Sequence, residues 1–527
     1  MNTMSIPRTK FMGGALLSLA LLSPAIPADA AANADALLIQ RCSVCHADAR
    51  GQLARIAGQR KTPEGWLMTL VRMQNTHGLK ISDEERRALV KRLADKQGLA
   101  PSETAPVRYA LERRLNTVEQ FESEALTQMC ARCHSGARVA LQRRSEKEWA
   151  HLVHFHLGQL PSLEFQSLGR DRDWFGVALK EVVPDLAKQF SVDDPAWKDW
   201  QAQTPQPVTG TWSVSGHLPG KGGFIAEMSV KSQPDKKDHY VVSWQGKYDD
   251  GSVLNGQGSA VLYTGYEWRA HVDVDGVAWR QVFALDHDAL KGRMFQREHD
   301  EIGADIVAVR HESGNSRVLA VHPAYLKTGQ TGTLTVVGNA LSGKLALPEG
   351  VRLLKIIEQS PRRIVAQVVA DRRALGVHTL SVGKTKGGTL AVFERIERIR
   401  VLPEFAVARV GGNGGSEARV DARFEAEAWA RSASGEYRIG LVPAKWSVAP
   451  FNADAERDRD VEFAGAMNAV TGIFTPAPAG PNPARHLMTN NAGNLAVTAE
   501  VTDGKTALQG TGQLIVTVQR WNNPPIP

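Results

Sequence analysis

The sequence predicts a multidomain chain in which an N-terminal all-α module precedes three all-β domains. Three observations predict it. At roughly 150 residues per domain, 527 residues are more than one core organises. Helical periodicity with N-cap signals runs to about Phe190, whereas short runs of alternating apolar and polar residues dominate from Gly210 onward. All four cysteines fall between Cys42 and Cys133, so only the helical part carries cysteine chemistry. The 43% hydrophobic and 23% charged shares belong to a globular protein and exclude collagen-like and disordered classes. The net charge of +7 is not gathered into any basic run of five or more, which argues against a nucleic-acid partner.

Residues 1–30 read as a cleaved export signal. Arg8 and Lys10 give a basic start, and Ala28-Asp29-Ala30 a small-x-small cleavage site. The apolar heart, Ala15 to Leu22, is too short for the ~20 residues of a membrane span. The expected compartment is the periplasm, with no membrane span in the mature chain.

An exported chain would ordinarily place its cysteines in disulfides. Here they occur as Cys42-Ser43-Val44-Cys45-His46 and Cys130-Ala131-Arg132-Cys133-His134, two copies of a haem attachment motif. Thiols three residues apart on a helical turn reach the two vinyl groups of one porphyrin edge, and the next histidine lies under the iron. Cys42, Cys45, Cys130 and Cys133 are therefore expected to tether two c-type haems, with His46 and His134 as proximal ligands. A zinc or disulfide reading leaves both histidines unexplained. Residues 31–205 thus form a di-haem cytochrome c domain of two repeats, about 31–115 and 116–205.

The repeat continues downstream. Thr62-Pro63-Glu64-Gly65-Trp66 opens one helix and Ser145-Glu146-Lys147-Glu148-Trp149 another, the second with an S-x-x-E capping box. Seven residues past each tryptophan, on the same helix face, stand Met73 and His156. These are the expected sixth ligands. Met68 and His151, two residues past each tryptophan, compete with them, as do His77 and His154. Six-coordinate irons favour electron transfer over oxygen or peroxide chemistry, and thioether ligation raises the potential of the first haem above the second.

Beyond a linker at Thr204-Pro205-Gln206-Pro207, residues 206–315 read as an antiparallel barrel or sandwich, with Asp-Gly hairpin turns at 250–251 and 275–276. Residues 316–404 and 405–527 read as immunoglobulin-like sandwiches, with a glycine-rich joint at Gly411 to Gly415. Neither HExxH, G-x-S-x-G nor a phosphate loop occurs in these segments. His217, His239, His271 and His486 read as surface or packing residues, and Pro476 to Pro483 as a surface loop.

The order of segments, the 88-residue separation of Cys42 and Cys130, and the paired Trp66/Met73 and Trp149/His156 register resemble the α subunit of quinohemoprotein amine dehydrogenase. The resemblance implies a heterotrimer with a β-propeller subunit and a small subunit bearing a cysteine tryptophylquinone. There a primary amine is oxidised to an aldehyde and ammonia, and the electrons pass through the haems to azurin or a small cytochrome c. No catalytic residue is expected in this chain, since no cysteine remains to build the quinone. Two rival readings are a di-haem peroxidase, and a di-haem cytochrome whose immunoglobulin-like domains bind a carbohydrate, mineral or cell surface.

Overall fold

A computed structural model describes residues 34–115, 117–166, 168–311, 314–412 and 418–518. The export segment 1–30 and positions 413–415 of the glycine-rich joint lie outside the described residues. Among those described, no helix is long and apolar enough to cross a membrane.

The helical module is built twice on one plan. Helix α1 (Ala34–His46) carries the whole first cysteine motif. Helix α2 (Pro63–His77) starts where Thr62 accepts from the Gly65 N–H with Pro63 at the first position, and stops at Gly78, whose φ of 72° suits glycine. Helix α3 (Asp83–Lys96) is opened by a complete Ser82/Glu85 capping box. In the second half, α4 (Glu124–Met129) ends at Cys130, so the second cysteine motif lies in the turn after the helix. Helix α5 (Glu146–Gln159) matches α2. Only half of the capping box expected here forms. Ser145 Oγ accepts from the Glu148 N–H, but the Ser145 N–H donates to the Gly58 carbonyl of the first repeat and the Glu148 carboxylate turns to Arg55 and Gln59.

The two halves are joined by a short antiparallel ladder of β1 (Gln59–Lys61) and β2 (Gln142–Arg144), with Arg60 opposite Arg143. Equivalent atoms play equivalent parts on both sides. The Lys61 N–H and Trp66 Nε1 donate to the Gln97 carbonyl, as the Arg144 N–H and Trp149 Nε1 donate to the Phe190 carbonyl. At the centre Glu103, from the short helix Pro101–Thr104, accepts from both terminal guanidinium nitrogens of Arg60 at 2.9 Å and stands 2.9 Å from Arg143 Nε. All three residues are buried.

Residues 210–310 form a closed antiparallel barrel of eight strands. They are β3 (Gly210–Leu218), β4 (Gly222–Ser232), β5 (His239–Tyr248), β6 (Val253–Tyr263), β7 (Glu267–Val274), β8 (Val277–Asp286), β9 (Ala289–Gln296) and β10 (Gly303–Arg310). The β7–β8 turn is Asp275-Gly276 with both φ positive, the geometry that matches strand twist in a two-residue hairpin. Trp212, Trp244, Trp268, Phe224 and Phe283 fill the interior, with Tyr240 stacked on Trp268. Two β units follow. The first has two four-stranded sheets over one shared core, and the second a three-stranded and a four-stranded sheet with a small third one.

The barrel fixes the helical module. Lys91 pairs with Asp238, Thr264 N–H donates to Asp95, and Tyr266 hydroxyl contacts Thr104 Oγ1 at 2.9 Å. Arg269 on β7 reaches Glu64 on α2. Beside it Glu267 is fully buried, and that burial pushes its carboxyl up to about 7, against the opposing pull of Arg269. A folded-state value above the ordinary carboxylate range means the folded chain holds the proton. The stabilisation is therefore complete below that range and lost as pH rises toward about 7. Glu267→Gln should flatten the fall in melting temperature of the protein between pH 5 and 8, measured by calorimetry; an unchanged slope would contradict this assignment.

Candidate haem centres

In the second half, the His134 and His156 rings face one another with centroids 6.5 Å apart and planes tilted by 32°. Each uses Nδ1 on a backbone carbonyl, His134 on Ser135 at 3.0 Å and His156 on Leu152 at 2.7 Å. Nε2 is thus the nitrogen left for another partner. Burial, first of all, holds both imidazoles below their usual basicity and therefore neutral. Glu119 shapes the loop behind His134: its buried carboxylate accepts from the Gly136 and Ala137 N–H groups and from Ser135 Oγ and Tyr109 Oη. Trp174 lies 5.8 Å from the His156 ring. His154 does not share this site; its ring meets Phe175 edge-on. His151 is committed to Glu148 at 3.0 Å.

In the first half, Cys42 is buried in the core with Trp66 and Leu70, while Cys45 is exposed. His46 Nδ1 is buried without a hydrogen-bond partner. Burial lowers the basicity of His46, and the nearby charges of Arg55 and His77 lower it further. Thr69, Met73 and His77 recur every four residues along one face of α2, with Met73 half-buried and His77 exposed. That face therefore offers both Met73 and His77. Met68 lies farther round the helix, with Arg138 donating to its sulfur. No disulfide joins any of the four cysteines.

Two parts of this region escaped the sequence reading. Glu119 had no local signal. The strands β1 and β2 did: Gln59-Arg60-Lys61-Thr62 and Gln142-Arg143-Arg144-Ser145, 83 residues apart, share Gln-Arg and then pair a basic residue with a hydroxyl residue, and extending the tryptophan alignment upstream would have found them.

Sequence comparison with known families gives four matches. They are "Quinohemoprotein amine dehydrogenase A, alpha subunit, haem binding" over residues 32–197, and domains II, III and IV of the quinohemoprotein amine dehydrogenase alpha subunit over 205–311, 315–394 and 399–526. Among curated proteins none matches in sequence. Solved structures give only slight likenesses. A fluorescence-activating beta barrel of de novo design is 19% identical over 19% of this chain and 92% of its own, with a TM-score of 0.17. A chimeric titin Z1Z2 is 14% identical over 38% and 93%, with a TM-score of 0.15. Zebrafish RET cadherin-like domains 1 to 4 are 9% identical over 58% and 66%, with a TM-score of 0.18. These values are too low to carry an argument. The family matches, by contrast, run in order from residue 32 to residue 526, and the chain belongs to the α subunits of quinohemoprotein amine dehydrogenase, the haem-binding, electron-transferring part of an oxidoreductase.

Proposed function

We propose that this chain is the di-haem relay of a periplasmic primary-amine dehydrogenase, holding one porphyrin through Cys42 and Cys45 and another through Cys130 and Cys133. The observation that carries the reading is the facing pair His134 and His156. Two metal–nitrogen bonds of about 2 Å and two imidazole half-widths of about 1 Å ask for a centroid separation near 6 Å, and the rings stand at 6.5 Å. Carbonyl bonds at Nδ1 fix both ring orientations and leave Nε2 as the donor, the usual arrangement behind a histidine ligand. His46 and Met73 are the corresponding pair at the first centre, with His77 the nearest competitor.

A haem iron supplies a one-electron couple. The residues of this chain would do the rest: Cys42, Cys45, Cys130 and Cys133 would hold the porphyrins, His46, Met73, His134 and His156 would ligate the irons, and the buried tryptophans Trp66 and Trp149 anchor the helices that carry Met73 and His156. With both faces occupied, the chain is suited to passing electrons rather than to activating oxygen or peroxide.

Family membership supports placing the amine-oxidising quinone, a cysteine tryptophylquinone, on a small partner subunit beside a β-propeller subunit. Azurin or a small cytochrome c would then take the electrons. The barrel and the two β units, read as immunoglobulin-like sandwiches, serve as scaffold and docking surface. The export signal at 1–30 and the domain limits at 205, 315 and 404 belong to the same reading.

A pyridine haemochrome assay should find two haems per chain, resistant to acid-acetone, and a quinone-staining small polypeptide should accompany the native complex. Pigment released by acid-acetone, or any other haem count, would overturn the reading. Met73→His should lower one midpoint potential and leave the other in place, because imidazole replaces a thioether that favours the ferrous state. If neither potential moves, Met68 or His77 is the better candidate.

A further inference from the structure

The two repeats place basic groups at matching positions on the side where they face one another. Lys61 and Arg144 both immediately precede a helix cap, both are buried, and both lie over the core tryptophan of their own repeat, at 5.0 Å and 5.6 Å. Lys61 is held there by design of the helix. Its stem runs along the bare side of Gly65, where a Cβ would come within 3.0 Å of Lys61 Cβ, and its ammonium donates to Thr69 Oγ1 at 2.8 Å. Glycine inside a helix costs about 1 kcal/mol relative to alanine, and here it leaves the space the lysine stem occupies. Thr69 is one turn before Met73 on the same face of α2.

Two more cations complete the group. Arg72 of α2 crosses to lie 4.3 Å over the Phe155 ring of α5, and Arg138 of the second repeat reaches Met68 of α2. Arg138, Arg72 and Arg144 add to burial in lowering the basicity of His156, and burial first, then Arg144 and Arg72, hold Lys61 well below its usual basicity against the opposing pull of Glu148. One carboxylate, Glu148, faces them. It is already engaged by Arg55, Gln59 and His151, and Arg144 stands 3.9 Å from it. Among the described residues Lys61 has no carboxylate partner. A buried ammonium without a counter-charge gives up its proton readily, and an anion brought beside Lys61 would restore the charge that burial and the neighbouring arginines oppose.

Resting on the di-haem reading, we propose that Lys61, Arg72, Arg138 and Arg144 form a cationic seat between the two centres that receives haem propionate carboxylates and holds the potentials up. The porphyrins tethered at Cys42/Cys45 and Cys130/Cys133 bring these carboxylates with them. A cation beside the ring favours the added electron, and it also cancels propionate charge that would favour the ferric state. Both effects have the same sign.

The test is a spectroelectrochemical titration of the purified holoprotein. In Lys61→Gln, at least one haem should lose about tenfold in its reduction equilibrium, a fall of about 59 mV for one electron. Lys61→Arg should stay near the wild-type value. Because a buried variant can fail to fold, the exposed Arg138→Gln carries the same prediction, with a fall of about twofold to threefold that shrinks at high salt. If both potentials stay in place in Lys61→Gln and Arg138→Gln while two haems remain bound, the seat is wrong. A wild-type protein with fewer than two haems would instead remove the reading on which the seat rests.

Discussion

Glu103→Gln should destabilise the helical module by about 3–5 kcal/mol, the cost of breaking a buried ion pair by removing one partner. At roughly 2–4 °C per kcal/mol, its melting transition should fall by on the order of 10 °C. The reason is geometric. Glu103 meets both Arg60 and Arg143 where the two face each other across the ladder, and it also accepts the Ala100 N–H at 2.7 Å. An amide keeps the volume but offers an NH2 to a guanidinium and leaves two buried cations without a counter-charge. Since Arg60 also binds the carbonyls of Gly98 and Val192, the damage spreads to segments from both repeats. Replacing Glu103, Arg60 and Arg143 together with apolar residues of similar volume should recover much of the loss, because no charge is then stranded. Calorimetry on the single and triple variants checks both statements; a Glu103→Gln protein as stable as wild type would show that the triad contributes nothing.

This triad also marks where the sequence stops being legible. The cysteine motifs are local: five adjacent residues specify the attachment chemistry. The register of Trp66/Met73 against Trp149/His156 was readable because two copies of one helix can be laid side by side. The same alignment extended upstream reaches the segments of β1 and β2, but not their pairing, since three-residue strands show no period and the ladder is fixed by packing between repeats. Glu103 and Glu119 act across the chain on groups far away in sequence, so neither announces itself. In the β region, alternation located strands such as His239–Tyr248 and Glu267–Val274. It could not show that β10 closes on β3, nor that Tyr325–Lys327 and Phe405–Arg409 pair in parallel with Thr385–Phe393 and Thr506–Thr517. Strand direction leaves no trace in a period of two. His217 proved to be a packing residue of a particular kind, its Nε2 lying 2.6 Å from Glu425 across the junction of the barrel and the last β unit.

If the chain carries two haems as proposed, His156→Ala should convert one of them from low-spin to high-spin and leave the other untouched. The geometry suits the proposed ligand role: Nδ1 is fixed by the Leu152 carbonyl, the ring faces His134 and lies beside Trp174, and the helix around it is anchored by Trp149 and Val153, which the substitution does not touch. Removing the imidazole would therefore leave one iron short of a ligand without unfolding α5. The ferrous protein should then bind carbon monoxide at about one site per chain where the wild type binds none, and peroxide should react at that site alone. His154→Ala makes the opposite case. Its ring packs against Phe175, so its loss should change stability slightly and leave the haem spectrum as it was. Optical and electron paramagnetic resonance spectra of the two variants decide between the histidines. A low-spin signal that survives His156→Ala but fails in His154→Ala would move the ligand by two residues and, with it, the face of α5 that the second porphyrin occupies.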